Sequence, residues 1–169
     1  MICLEEMTTC DVEAADTDPL VHPGDRFIVS KLIKPQRWDI IAFRYPVDPS
    51  VNEVKRLVGL PGETVEIDDG AVWIDGKRLT PPAPFERLHY VDEIDGGRWG
   101  PKLWGTRLRP AKLGDDECFV LGDFSERSGD SRLWEVWSPD HPSYAVPESY
   151  IKGVVTHIYA PCDRLRAFR

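Results

Sequence analysis

The sequence predicts a mainly β chain, an antiparallel sheet folded over on itself or closed as a barrel, and two observations carry that reading. Short apolar runs recur along the chain, each bounded by Gly, Pro or Asp turn signals. The 15 Pro and 13 Gly argue against a helix bundle, since both residues interrupt helices. With 169 residues, 41% of them hydrophobic, the chain is one domain, or one domain with a large insertion, and can bury a real core.

The elements follow in order. DRFIVSKL, residues 25–32, comes after the turn HPGD and reads as a first strand. WDIIAFRYP, residues 38–46, is a second, ended by Pro46, and NEVKRLVGL, residues 52–60, a third closed by the turn PGE. TVEIDDGAVWIDGKRL reads as a hairpin, Thr64–Ile67 and Val72–Ile74, with DDG and DGK as its turns. ECFVLGD (117–123) is another strand and YIKGVVTHIYA (150–160) a long final one. From about 80 to 115 the pattern breaks into Pro, Trp and a Gly96–Gly97 pair, which reads as an irregular insertion packed on the main sheet. A second irregular piece, EVWSPDHPSYA, precedes Val146. The chain thus divides into an irregular N-terminal segment 1–15, a domain 16–160 and a tail 161–169.

A formal charge of −8 argues against a nucleic-acid partner, because phosphate binding needs a basic face. Cys3, Cys10, Cys118 and Cys162 have no metal-type spacing. Cys118, inside CFVL, reads as a buried small hydrophobe. The histidines are scattered without ligand spacing, so neither a metal nor another cofactor is expected. No run reaches the ~18–20 apolar residues of a membrane span, and the first 15 residues are too polar for a signal peptide.

Three blocks carry chemistry. Ala14-Ala15-Asp16-Thr17-Asp18-Pro19-Leu20 precedes the HPGD turn; VKRLVGLPGETVEI contains Lys55; FVLGDFSERSGDSR contains Ser128, Asp130, Ser131 and Arg132. In this order they resemble the boxes of the type I signal peptidases, over roughly residues 16 to 160. The resemblance implies a signal-peptidase-type β fold and a Ser–Lys dyad endopeptidase that removes signal peptides from exported preproteins. Its substrates would be extended peptides with small residues at −1 and −3, and its place a membrane surface, on the outer face of the cytoplasmic membrane.

Carried over residue by residue, Lys55 takes the position of the general base, Ser128 that of the hydroxyl orienting the amine, and Asp130 and Arg132 form a clamp for the third box. Pro19 sets a register in which the nucleophilic Ser position falls on Asp16, the family's Met on Thr17 and an oxyanion-hole Ser on Ala14; Phe124 replaces the usual Asn. A neutral lysine amine takes the proton of a Ser hydroxyl, and the apolar neighbours Val54, Leu57, Val58 and Leu60 suit it. A carboxylate at position 16 beside Lys55 favours the ammonium form instead, and its attack on an amide would pass through an anhydride. The second reading is therefore a catalytically silent relative that binds extended peptides or a partner peptidase. An autoproteolytic repressor domain shares the Ser–Lys logic, but DNA-binding helices are missing and the GD…DSR box is present.

Overall fold

The structure is a computed structural model and describes residues 4–7 (as backbone), 21, 24–83, 85–92, 103–135 and 140–168. Its strands are β1 (Leu4–Met7), β2 (Arg26–Ser30), β3 (Ile40–Arg44), β4 (Asn52–Gly59), β5 (Thr64–Asp68), β6 (Ala71–Ile74), β7 (Lys77–Arg78), β8 (Ala111–Lys112), β9 (Glu117–Leu121), β10 (Val146–Pro147), β11 (Ile151–Ala160) and β12 (Arg166–Ala167). Eight of them form one sheet in the order β1-β2-β11-β3-β4-β9-β10, with β12 joined to β11. The other four form a smaller sheet, β7-β6-β5-β8. Pairing between these strands is antiparallel throughout, and the sheets stay open instead of closing into a barrel.

Side-chain pattern explains where each strand lies. β5 and β6 alternate buried and half-buried positions, as strands with one covered face do. β3 (IIAFR) and β9 (ECFVL) are apolar almost throughout and lie inside the larger sheet, buried on both faces. The pairs Asp69–Gly70 and Asp75–Gly76 hold positive φ at both positions, the signature of the type I′ turns that join β5 to β6 and β6 to β7.

The pleat of the larger sheet separates two cores. Ile40, Ala42 and Val54 pack with Phe27, Val29, Val155 and Ile158 on one face. Ile41, Phe43 and Leu57 pack with Cys118, Val120, Trp134, Val146 and Val154 on the other. A third cluster joins Val58, Phe119 and Leu121 to Val65, Ile67, Val72 and Ile74 of the smaller sheet. Cys118 is buried, and that burial, with nearby acidic charges, pushes its thiol up to about 12.

Three segments differ from their reading in the sequence. The 80–115 stretch does more than pack on the main sheet: Ala111–Lys112 becomes a strand of the smaller sheet, and Tyr90, Leu103 and Leu113 enter the core. Its apolar residues are too few and too irregularly spaced to reveal a two-residue strand. Leu4–Met7, in the segment read as irregular, pairs with β2. The stretch read as a tail returns along β11, and Arg164 forms a bidentate pair with the buried Asp25 at 2.7 and 3.0 Å.

Gly59 marks where β4 is most closely covered. A Cβ there would fall 2.5 Å from Val65 Cγ2 and 2.8 Å from both Leu113 Cδ1 and Phe119 Cβ. Gly59→Ala is expected to lower stability by about 1–3 kcal/mol; an unchanged urea midpoint would contradict this close approach of the two sheets.

Candidate active site

β4 lies between β3 and β9, and its pleat sends adjacent side chains to opposite faces. Lys55 stands opposite Ile41 and Glu53 opposite Phe43, so both share the face of the Ile41–Phe43–Leu57 core. The Lys55 side chain is 15% exposed, and its Nζ lies 3.8 Å from Glu53 Oε2. Burial raises the Glu53 carboxyl above the usual carboxylate range; the charge of Lys55 opposes the rise and that of Asp130 adds to it. Lys55 and the third box therefore act on one carboxyl.

The third box folds back on β9. Ser131 exchanges backbone and side-chain hydrogen bonds with Val120. Asp130 accepts from Gly122 N at 3.0 Å and from Arg132 Nε and Nη2 at 2.9 and 2.7 Å, with both side chains fully buried. Arg132 also donates to Val91 O, Ser125 Oγ and Ser125 O. Ser128 is buried over Gly122, where a Cβ would fall 1.8 Å from its Oγ, so the glycine of the LGD turn makes room for that hydroxyl.

A second pair lies on the other face of β4. Arg56 donates to Asp123 through Nε and Nη2, both at 2.6 Å, and to Trp38 O, and it stacks 4.2 Å from the centre of the Phe85 ring. Burial works to lower the Arg56 guanidinium, but the hydrogen bonds and charge of Asp123 outweigh it and raise it. Between the two pairs sits Tyr90, whose buried hydroxyl is pushed up by desolvation and by the charge of Asp123.

Of the residues singled out in the sequence, Lys55, Ser128, Asp130, Ser131 and Arg132 are in the described part, and the Asp130–Arg132 pair is present. Asp16, Ala14 and Thr17 lie outside the described residues. Glu53, Asp123 and Tyr90 had no part in the sequence reading. Glu53 was legible in principle, since a residue two before Lys55 on a strand shares its face; Tyr90 comes from the irregular stretch and carried no signal. The histidines do not all stand alone: Asp116, Glu117 and His141 bring ligand-type atoms within 4.8 Å of one another. Both Glu117 oxygens are occupied there, by His141 Nδ1 at 2.9 Å and Gly114 N at 2.7 Å, which makes the group a clamp between loops.

A profile described as "Signal peptidase, peptidase S26" matches residues 1–160. The chain belongs to the signal peptidase family. Signal peptidase I of Bacillus licheniformis is 35% identical over 125 residues, covering 72% of this chain and 63% of that protein. Signal peptidase I of Leptolyngbya laminosa is 36% identical over 159 residues, covering 87% and 66%. Signal peptidase I T of Bacillus subtilis (strain 168) is 31% identical over 159 residues, covering 92% and 75%. The chain thus spans a little under two thirds of the length of the first two relatives. Among solved structures, a signal peptidase I from Enterococcus faecalis V583 is similar with a TM-score of 0.50 and 29% identity, over 75% of this chain and 100% of that one. In this member of the signal peptidase family, the open antiparallel sheet is the family's fold.

The buried clamp makes a stability prediction. Arg132→Met leaves the Asp130 charge without its partner in the interior and should cost about 3–5 kcal/mol. Arg132→Lys should recover only part of that loss, because an ammonium cannot reach Asp130, Ser125 and Val91 together. Chemical denaturation of the three forms provides the measurement, and equal stability of the Met variant and the parent would refute the role given to the clamp.

Proposed function

We propose that this chain recognises the signal peptides of exported preproteins, with Lys55 as proton acceptor for peptide-bond hydrolysis and Ser128 orienting its amine. The observation that supports the reading is a lysine largely withdrawn from solvent on an apolar sheet face, inside the box the family shares. A peptide bound as an added strand would offer its main chain to the sheet and its small −1 and −3 side chains to the apolar face. The reaction would run at the outer face of the cytoplasmic membrane, where preproteins emerge; among the described residues no helix is long and apolar enough to cross a membrane.

In the dyad mechanism a hydroxyl attacks the peptide carbonyl while Lys55 Nζ takes its proton, and the amine then returns that proton to the leaving nitrogen. On the register set by Pro19 the attacking position carries Asp16, which has no hydroxyl. That residue favours a second reading for the natural chain, recognition of extended peptides without turnover.

One peptide separates the two. A synthetic signal-peptide substrate with Ala at −1 and −3 is incubated with the unsubstituted chain, Asp16→Ser, Asp16→Ser/Lys55→Ala and Lys55→Ala, and products are read by mass spectrometry. Cleavage by Asp16→Ser that falls at least ~100-fold in the double variant is the expected outcome. Turnover by the unsubstituted chain, lost in Lys55→Ala, would sink the silent reading. Absence of both cleavage and binding in every form, binding being read by fluorescence titration with the same peptide labelled, would overturn the proposal as a whole.

A further inference from the structure

We propose that Glu53 is a positioning residue for Lys55, a carboxylate that fixes where the amine stands and balances the charge it takes on when it accepts a proton. The inference rests on reading Lys55 as the base of the site. Position comes first. The two side chains leave the same face of β4 two residues apart, and Nζ and Oε2 are 3.8 Å from each other.

Availability comes second. Glu53 Oε2 is buried and has no hydrogen-bond partner among the described residues. Buried acceptors normally have one. Asp130, the neighbouring acid, differs: the Gly122 amide and the Arg132 guanidinium occupy its oxygens. Glu53 thus presents a desolvated acceptor toward the Lys55 amine, where Asp130 is already committed to its clamp.

The groups facing Glu53 are Lys55 on its own strand, Tyr45 just beyond β3, and Asp130 of the third box, itself paired with Arg132. Tyr45 packs edge-on against Trp134, with ring centres 5.4 Å apart, and so helps wall this corner with aromatic surface. When the Lys55 lone pair takes a hydroxyl proton, an N–H bond forms, the O–H bond breaks and the oxygen keeps its electron pair. The new positive charge then appears beside Glu53, away from bulk water, where a fixed carboxylate counts for more than in solution.

The coupling is reciprocal and can be read without any turnover. Burial raises the Glu53 titration and the Lys55 charge holds it down, so removing that charge must move it further upward. Carbon-13 NMR of the Glu53 carboxyl in Lys55→Met is expected to show a midpoint roughly half to one pH unit higher than in the unsubstituted chain. In the converse experiment, acylation of Lys55 by a small amine-reactive ester at fixed pH is followed by peptide mass spectrometry. Glu53→Gln, equal in shape but uncharged, should speed it by roughly threefold to tenfold, and Glu53→Asp should restore most of the slow rate. An unmoved Glu53 midpoint, or equal labelling in Glu53→Gln and the unsubstituted chain, overturns the proposal. Neither measurement needs a nucleophile at position 16, so failure here is distinct from failure to cleave a signal peptide.

Discussion

The fully buried Asp130–Arg132 pair is the interaction on which the rest of the structure depends. Two charges withdrawn from water are tolerable only when each is paired and its remaining hydrogen-bonding capacity is used. Both conditions hold. Asp130 takes the Gly122 amide as well as the guanidinium, and Arg132 reaches Val91 and Ser125 with the donors that remain. The carbonyl of Arg132 accepts from Trp104 N at 3.0 Å. Through its guanidinium and its own carbonyl, Arg132 thereby ties the turn after β9 to both sides of the irregular stretch. Ser128 owes its buried seat over Gly122 to that folding back.

A second ion pair repeats the device on the opposite side of β4. Arg56 and Asp123 join the middle of the strand to the start of the third box, and the Phe85 ring covers the guanidinium. Tyr90 lies within the field of both pairs. The irregular stretch therefore supplies a ring, a carbonyl and a buried phenol to the two clamps, which ties these described residues to the sheet despite the segment's lack of period.

Legibility in the sequence followed physical regularity. The strands from β2 to β6, with β9 and β11, were readable because apolar runs or two-residue alternation ended at Gly, Pro or Asp signals. The two DG turns were readable because the chain there needs positive φ. β7, β8, β10 and β12 are two residues long, too short for any period, and exist because a longer neighbour offers a pairing edge. At the site, Lys55 and the Asp130–Arg132 pair were visible through their boxes. The Arg56–Asp123 pair joins residues 67 apart, and nothing local signals it. For Glu53 the shared face with Lys55 was legible from the two-residue spacing, but its burial was not, since a glutamate before a lysine reads as solvated surface.

The opposite orientations of Lys55 and Arg56 have an evolutionary consequence. Lys55 and Arg56 occupy neighbouring positions, yet their ion-pair partners differ, Glu53 for the one and Asp123 for the other. A change at one of the two positions therefore leaves the other's ion pair in place. Adjacent residues of one strand can in this way be held or altered under separate selection.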